Sequence, residues 1–130
     1  MSALRPVSNV FYFVDDLDAG IEWYARLLGE RPDERPDSML GRLARFSVGP
    51  AVLTVHVSDE YNKPSRTDGP VAYWEVDDVD TVVADCTSRG ATVHRGPKTI
   101  FTGERLCQVL DPFGNLIGFV SRGGAGATVT

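Results

Sequence analysis

His56 and Glu75 are the side chains of this sequence best suited to move a proton. Histidine has an unperturbed pKa of about 6.5. His56, in the apolar stretch Ala51–Val57, could therefore act as a general base or contact a ligand, or simply end a strand half in solvent. Glu75 stands in the apolar run VAYWEV. A carboxylate buried there would need a partner, so it could bind a cation or transfer a proton. It could equally close a salt bridge at a strand end or a dimer interface. Both residues are catalytic candidates. Cys86 and Cys107 lack the spacing of a metal cluster and read as reduced core residues. The acidic pairs Asp15-Asp16 and Asp77-Asp78 read as helix caps rather than catalysts. Trp23 and Trp74 suit core or interface, and His94 the surface. Glu104 and Arg105 sit at the rim of a strand, where they could guard the mouth of a site.

The elements that must position these groups are readable from periodicity. Val7–Val14 is β-branched and aromatic and predicts a strand. Leu17, Ile21, Tyr24 and Leu28 fall on one helical face, and Gly29 ends that helix. Arg31–Gly41 is polar and proline-rich, with room for at most a short edge strand. Leu43–Val48 and Ala51–Val57 predict a hairpin across Gly49-Pro50. The run 59–69 lacks apolar periodicity and reads as a linker or a loop able to close over a ligand. Val71–Val76 predicts a strand. Val79, Val82, Val83 and Cys86 predict a second helical face stopped by Gly90. Ala91–Arg95, Glu104–Leu110 and Leu116–Ser121 complete the strands, and 122–130 reads as a flexible tail. The last two strands meet at Asp111-Pro112-Phe113-Gly114-Asn115. There Pro112 fixes φ, Gly114 can take positive φ, and Asp111 and Asn115 can bond local backbone.

Composition bounds the possible roles. A chain of 130 residues, 42% hydrophobic and 24% charged, is long enough for one ordinary core. Its net charge of −5 argues against nucleic acid and anionic membranes as partners, and is compatible with a cationic ligand. No apolar run approaches the ~18–20 residues of a membrane helix. The N-terminus lacks a signal-peptide layout, so a cytoplasmic location is expected.

The chain also repeats itself. Val14-Asp15-Asp16-Leu17-Asp18 is matched by Val76-Asp77-Asp78-Val79-Asp80, each preceded by a strand and followed by a helix ended by glycine. With VFYFVDDLDAGIEWYARLLGE, VAYWEVDDVD and DPFGNLIGFV in this order, residues 7 to 121 resemble the vicinal oxygen chelate superfamily. That superfamily includes glyoxalase I, bleomycin-resistance proteins, extradiol dioxygenases and fosfomycin-resistance enzymes. The resemblance implies an α+β fold of two tandem βαβββ modules, about 7–58 and 70–121, forming a curved mixed sheet with a ligand cup. It also implies a homodimer.

Members of the superfamily take metal ligands from the first and last strands of each module. The corresponding positions here are Asn9, Thr54, Val71 and Gly118. Valine and glycine side chains offer no donor atom, and asparagine and threonine are weak ligands for divalent cations. The resemblance is therefore to a metal-free, bleomycin-resistance-like branch, with no cofactor expected. Side chains two apart share a strand face. The cup would then hold Asn9, Phe11, Phe13, Thr54, His56, Tyr73, Glu75, Leu106, Gln108 and Leu110 as ligand-binding residues, alongside Val52, Val71, Leu116, Gly118 and Val120. Such a cup is aromatic with a few polar groups, as small-molecule sites are.

Three functions fit these residues. The first is metal-independent binding of a small, aromatic or cationic organic molecule, as in antibiotic or natural-product sequestration. The second is a metal-independent isomerase, cyclase or lyase using Glu75 or His56. The third is a metal-dependent lyase or dioxygenase with ligands relocated to His56, Glu75 and Glu104. The first is the expectation carried forward.

Overall fold

A computed structural model of the chain describes residues 2–33 and 42–122. The contacts divide the chain between Lys63 and Pro64 into two units. The first contains β1 (Asn9–Val14), α1 (Leu17–Leu28), β2 (Leu43–Val48) and β3 (Ala51–Val57). The second contains β4 (Tyr73–Glu75), α2 (Val79–Ser88), β5 (Thr92–Thr99), β6 (Arg105–Leu110) and β7 (Leu116–Ser121). All but the first residue of the tail expected over 122–130, and most of the edge strand considered for Arg31–Gly41, lie outside the described residues. Among the described residues no helix is long and apolar enough to cross a membrane.

In the first unit the sheet order is β1-β3-β2, with β1 parallel and β2 antiparallel to β3. In the second it is β4-β7-β6-β5, with β4 parallel to β7 and the remaining pairs antiparallel. Each sheet thus pairs its first strand with its last, so the sequence repeat is also a repeat of topology. One face of each sheet is packed. Tyr12, Val14, Ala44, Phe46, Leu53 and Val55 are buried in the first unit, and Cys107, Val109, Ile117 and Phe119 in the second. A large apolar side chain so buried contributes about 1.5–3 kcal/mol.

The helices begin where the double acids predict. Asp16 Oδ1 accepts from the Ala19 amide at 3.1 Å, and Asp78 Oδ1 from the Thr81 amide at 3.3 Å. Gly29 closes α1 at φ 73°, its amide donating to the Ala25 carbonyl at 2.8 Å. The buried face of α1 includes Leu17, Ile21 and Tyr24, and α2 buries Val79, Val83 and Cys86. Asp16→Ala is expected to cost about 1 kcal/mol in urea denaturation. Asp78→Ala should cost less, since its capping bond is longer.

Two strands differ from expectation. β4 spans three residues rather than the expected Val71–Val76. It follows Gly69-Pro70, where Gly69 has φ 82° and Pro70 has no amide to donate. β5 runs to Thr99, past the expected end at Arg95, because its pairing with β6 continues through two register shifts. The β6–β7 turn is held from within. Asp111 is 4% and Asn115 3% exposed. Asp111 Oδ1 accepts from the Phe113 and Asn115 amides, each at 2.8 Å, and Oδ2 from Asn115 Nδ2 at 2.9 Å.

Candidate functional site

The second face of each sheet is packed less evenly: Phe11 and Tyr73 are exposed on it, while Thr54 and Leu116 are buried. In the first unit the register sets Asn9 opposite Val52, Phe11 opposite Thr54 and Phe13 opposite His56. Phe11 is 46% exposed, whereas Thr54 is buried at 1%. The Thr54 hydroxyl donates to Asn9 Oδ1 at 2.9 Å. Phe11 and Phe13 are stacked with ring centroids 6.1 Å apart, and His56 lies 6.2 and 5.8 Å from them. His56 Nδ1 lies 2.7 Å from the Val57 carbonyl oxygen. A carbonyl only accepts, so Nδ1 carries the proton and Nε2 is the basic nitrogen.

In the second unit Tyr73 pairs with Gly118, and Gln108 with Gly118 from the other side. The tyrosine ring covers that glycine. A Cβ added to Gly118 would meet Tyr73 Cδ1 at 2.5 Å and Cγ at 2.8 Å. Gln108 Nε2 donates to the Tyr73 hydroxyl at 2.6 Å. Beside this pair is a cavity of about 250 Å³, with Tyr73, Arg95, Lys98, Ile100, Leu106 and Gln108 in its wall. A larger and more open hollow of about 520 Å³ at the end of α1 includes Glu22 and Arg31, which already form a two-bond ion pair at 2.9 and 3.0 Å. That pair holds the Glu22 carboxyl below its ordinary range.

The model of the Glyoxalase/Bleomycin resistance protein/Dioxygenase superfamily matches residues 7–119. The chain belongs to that superfamily. No curated protein matches it at a significant level. Among solved structures it is similar to a glyoxalase-related enzyme from Fulvimarina pelagi, at 18% identity and TM-score 0.73, covering 98% of each chain. A glyoxalase/bleomycin resistance protein from Albidiferax ferrireducens T118 gives 18% identity and TM-score 0.72, covering 91% of this chain and all of that one. Another from Catenulispora acidiphila DSM 44928 gives 24% identity and TM-score 0.64, covering 88% and 96%. At these identities the likeness is one of fold.

Membership in the superfamily makes the four metal-ligand positions testable in each unit separately. Asn9 Oδ1, the one amide oxygen among them, already accepts the Thr54 hydroxyl proton. Val71 has no donor atom, and the space a side chain at Gly118 would need is filled by Tyr73. These residues do not fit a divalent cation. Among the described residues no group of three His, Cys, Asp or Glu could hold a metal ion.

Glu75 takes the salt-bridge alternative rather than the buried one. The apolar run around it suggests burial, but it is exposed and lies 3.3 Å from Arg122 Nε. Alternation assigns a face and not a depth, and β4, with only β7 beside it, leaves that position open. Glu104 receives a bond from the Thr102 hydroxyl at 2.9 Å. Arg105 faces α2, donating to both oxygens of Asp80 at 2.7 and 3.0 Å, and so does not guard the open face. This contact holds the Asp80 carboxyl below its usual range. Leu110 lies opposite the buried Leu116 and is not in the cavity wall formed by Leu106 and Gln108. Cys86 and Cys107 are free and buried, and burial pushes the Cys86 thiol up to about 11. Arg95, Lys98 and Ile100 were not expected at a site. Arg95 ends the strand expected over Ala91–Arg95, and Lys98 and Ile100 lie beyond it; the clue is the Gly96-Pro97 interruption inside a stretch that can still pair.

Proposed function

We propose that this chain binds a small organic molecule without a metal, in the manner of natural-product or antibiotic sequestration, as a cytoplasmic homodimer. The observation that carries the reading is Tyr73 over Gly118. An aromatic ring occupies the room in which another superfamily member would carry a metal-binding carboxylate. The open face there offers a ring, an amide and aliphatic groups, a combination that favours stacking and apolar burial over chemistry. The two free, buried cysteines accord with a reducing compartment.

A second reading, a metal-independent isomerase or lyase, draws support from His56. Its protonated Nδ1 leaves Nε2 as a base among Phe11 and Phe13. The experiment that separates these readings is metal analysis of the purified protein, followed by incubation with a panel of aromatic natural products and mass spectrometry of what stays bound. The expected result is substoichiometric metal and a ligand recovered unchanged. Zinc, iron, nickel or manganese at one equivalent per chain would sink the proposal. A ligand recovered altered would move it to the enzyme reading, and His56→Gln should then abolish the conversion.

A further inference from the structure

We infer that the second-unit cavity takes a small organic anion. Arg95 and Lys98 hold its carboxylate or phosphate oxygens, and its apolar body lies against Tyr73, Ile100 and Leu106. This rests on the reading above of an organic guest and adds the charge of that guest.

The argument starts from strand geometry. Residues three apart on a regular strand point to opposite faces. Arg95 and Lys98 are three apart, yet Arg95 is paired with Gln108 and Lys98 with Leu106, which are two apart on β6 and share its open face. The extra residue on β5 is a bulge, and a bulge re-aims side chains. Gly96 makes it possible. It has φ 84°, and a Cβ there would lie 2.7 Å from the Leu106 carbonyl oxygen. A second shift, between Val93 opposite Val109 and Arg95 opposite Gln108, leaves His94 as the extra residue and turns Arg95 to the face of Gln108. β5 therefore delivers two cations to one wall of one cavity.

Those cations are uncommitted. Among the described residues neither Arg95 nor Lys98 has an ion-pair partner, and no carboxylate lines the cavity. The remaining polar group agrees in sign. The Tyr73 oxygen accepts from Gln108, so its own O–H is left to donate. Guanidinium, ammonium and phenol are all donors, and the guanidinium fork matches the paired oxygens of carboxylate or phosphate. A cationic guest, which the net charge of −5 would suggest, would meet two like charges here. The volume of about 250 Å³ lies below the roughly 300–1,000 Å³ of drug-sized sites, so the guest is small.

The test is an amide-resolved NMR titration of the whole chain with phenylacetate, phenyl phosphate, neutral phenylacetamide and phenethylammonium. The anions should shift the amides of Arg95, Lys98, Leu106 and Gln108. At least one should bind about tenfold tighter than phenylacetamide, equivalent to one good charge-assisted contact. That margin should shrink as salt is added. The tighter of the two anions identifies carboxylate or phosphate as the group held. In Arg95→Gln/Lys98→Gln the margin should vanish with the thermal midpoint unchanged, since both side chains are exposed. A margin that survives the double substitution overturns the inference. Phenylacetamide or phenethylammonium binding as tightly as the anions also overturns it, while leaving the organic-guest reading intact. If no probe moves these amides, the cavity itself is the wrong place.

Discussion

Asp111→Ala should lower the unfolding free energy by about 3–5 kcal/mol, read as a large fall in the urea midpoint with the slope preserved. The reason is the number of donors it would strand. One carboxylate accepts two backbone amides and one side-chain amide inside the β6–β7 turn, where both Asp111 and Asn115 are almost wholly buried. Each donor left without a partner costs about 1–3 kcal/mol. Asn115→Ala removes only one of the three acceptor contacts, so it should cost about 1–3 kcal/mol. A loss below about 1 kcal/mol for Asp111→Ala would mean that water replaces the carboxylate, and the turn would not be the anchor of the second sheet.

Gly118→Ala is expected to cost about 1–3 kcal/mol, an overpacking cost rather than a backbone one. Gly118 is not among the glycines at positive φ. What excludes a methyl group is the Tyr73 ring, 2.5 Å from where the Cβ would stand. Tyr73 must swing away, and its bond to Gln108 breaks with it. The diagnostic measurement is a double-mutant cycle. Once Tyr73→Ala has removed the ring, Gly118→Ala should be nearly neutral, so the two changes couple by roughly 1–2 kcal/mol. Additive effects would show that something other than the ring fills the space. Gly118→Glu, which places a carboxylate where the resemblance puts a metal ligand, should destabilise the chain and recruit no zinc in metal analysis.

Much of this fold is legible in the sequence because local signals agree. The two double acids sit where helices start, with Asp16 and Asp78 as the capping residues. The alternation in Asn9–Val14 separates a packed face from a more open one, whereas Leu116–Phe119 is buried on both faces. The strands on either side of Gly49-Pro50 fall where the turn residues put them. Other features are invisible for physical reasons. Period-two reasoning cannot follow β5, because its bulges change the phase twice and its glycine and proline look like a stop. The cations it carries were therefore missed at the site. For Glu75 the sequence leaves burial and a strand-end salt bridge equally open, because a pattern of alternation does not say how many neighbours a strand has. Thr54 was placed on a ligand face, yet it is 1% exposed and committed to Asn9, a pairing 45 residues apart in sequence that no local signal encodes.

The irregularity of β5 has a consequence outside the cavity. β5 is the outermost strand of its sheet, opposite the three-residue β4. A long, flat outer strand is a template on which another chain can add its own backbone and begin a fibril. β5 is neither flat nor evenly spaced. It carries Lys98, a proline without an amide, and two breaks in register. The kinks that bring Arg95 and Lys98 together also deny a stranger a continuous ladder. Straightening the strand would remove the charged wall and expose the protein to self-templated aggregation at once.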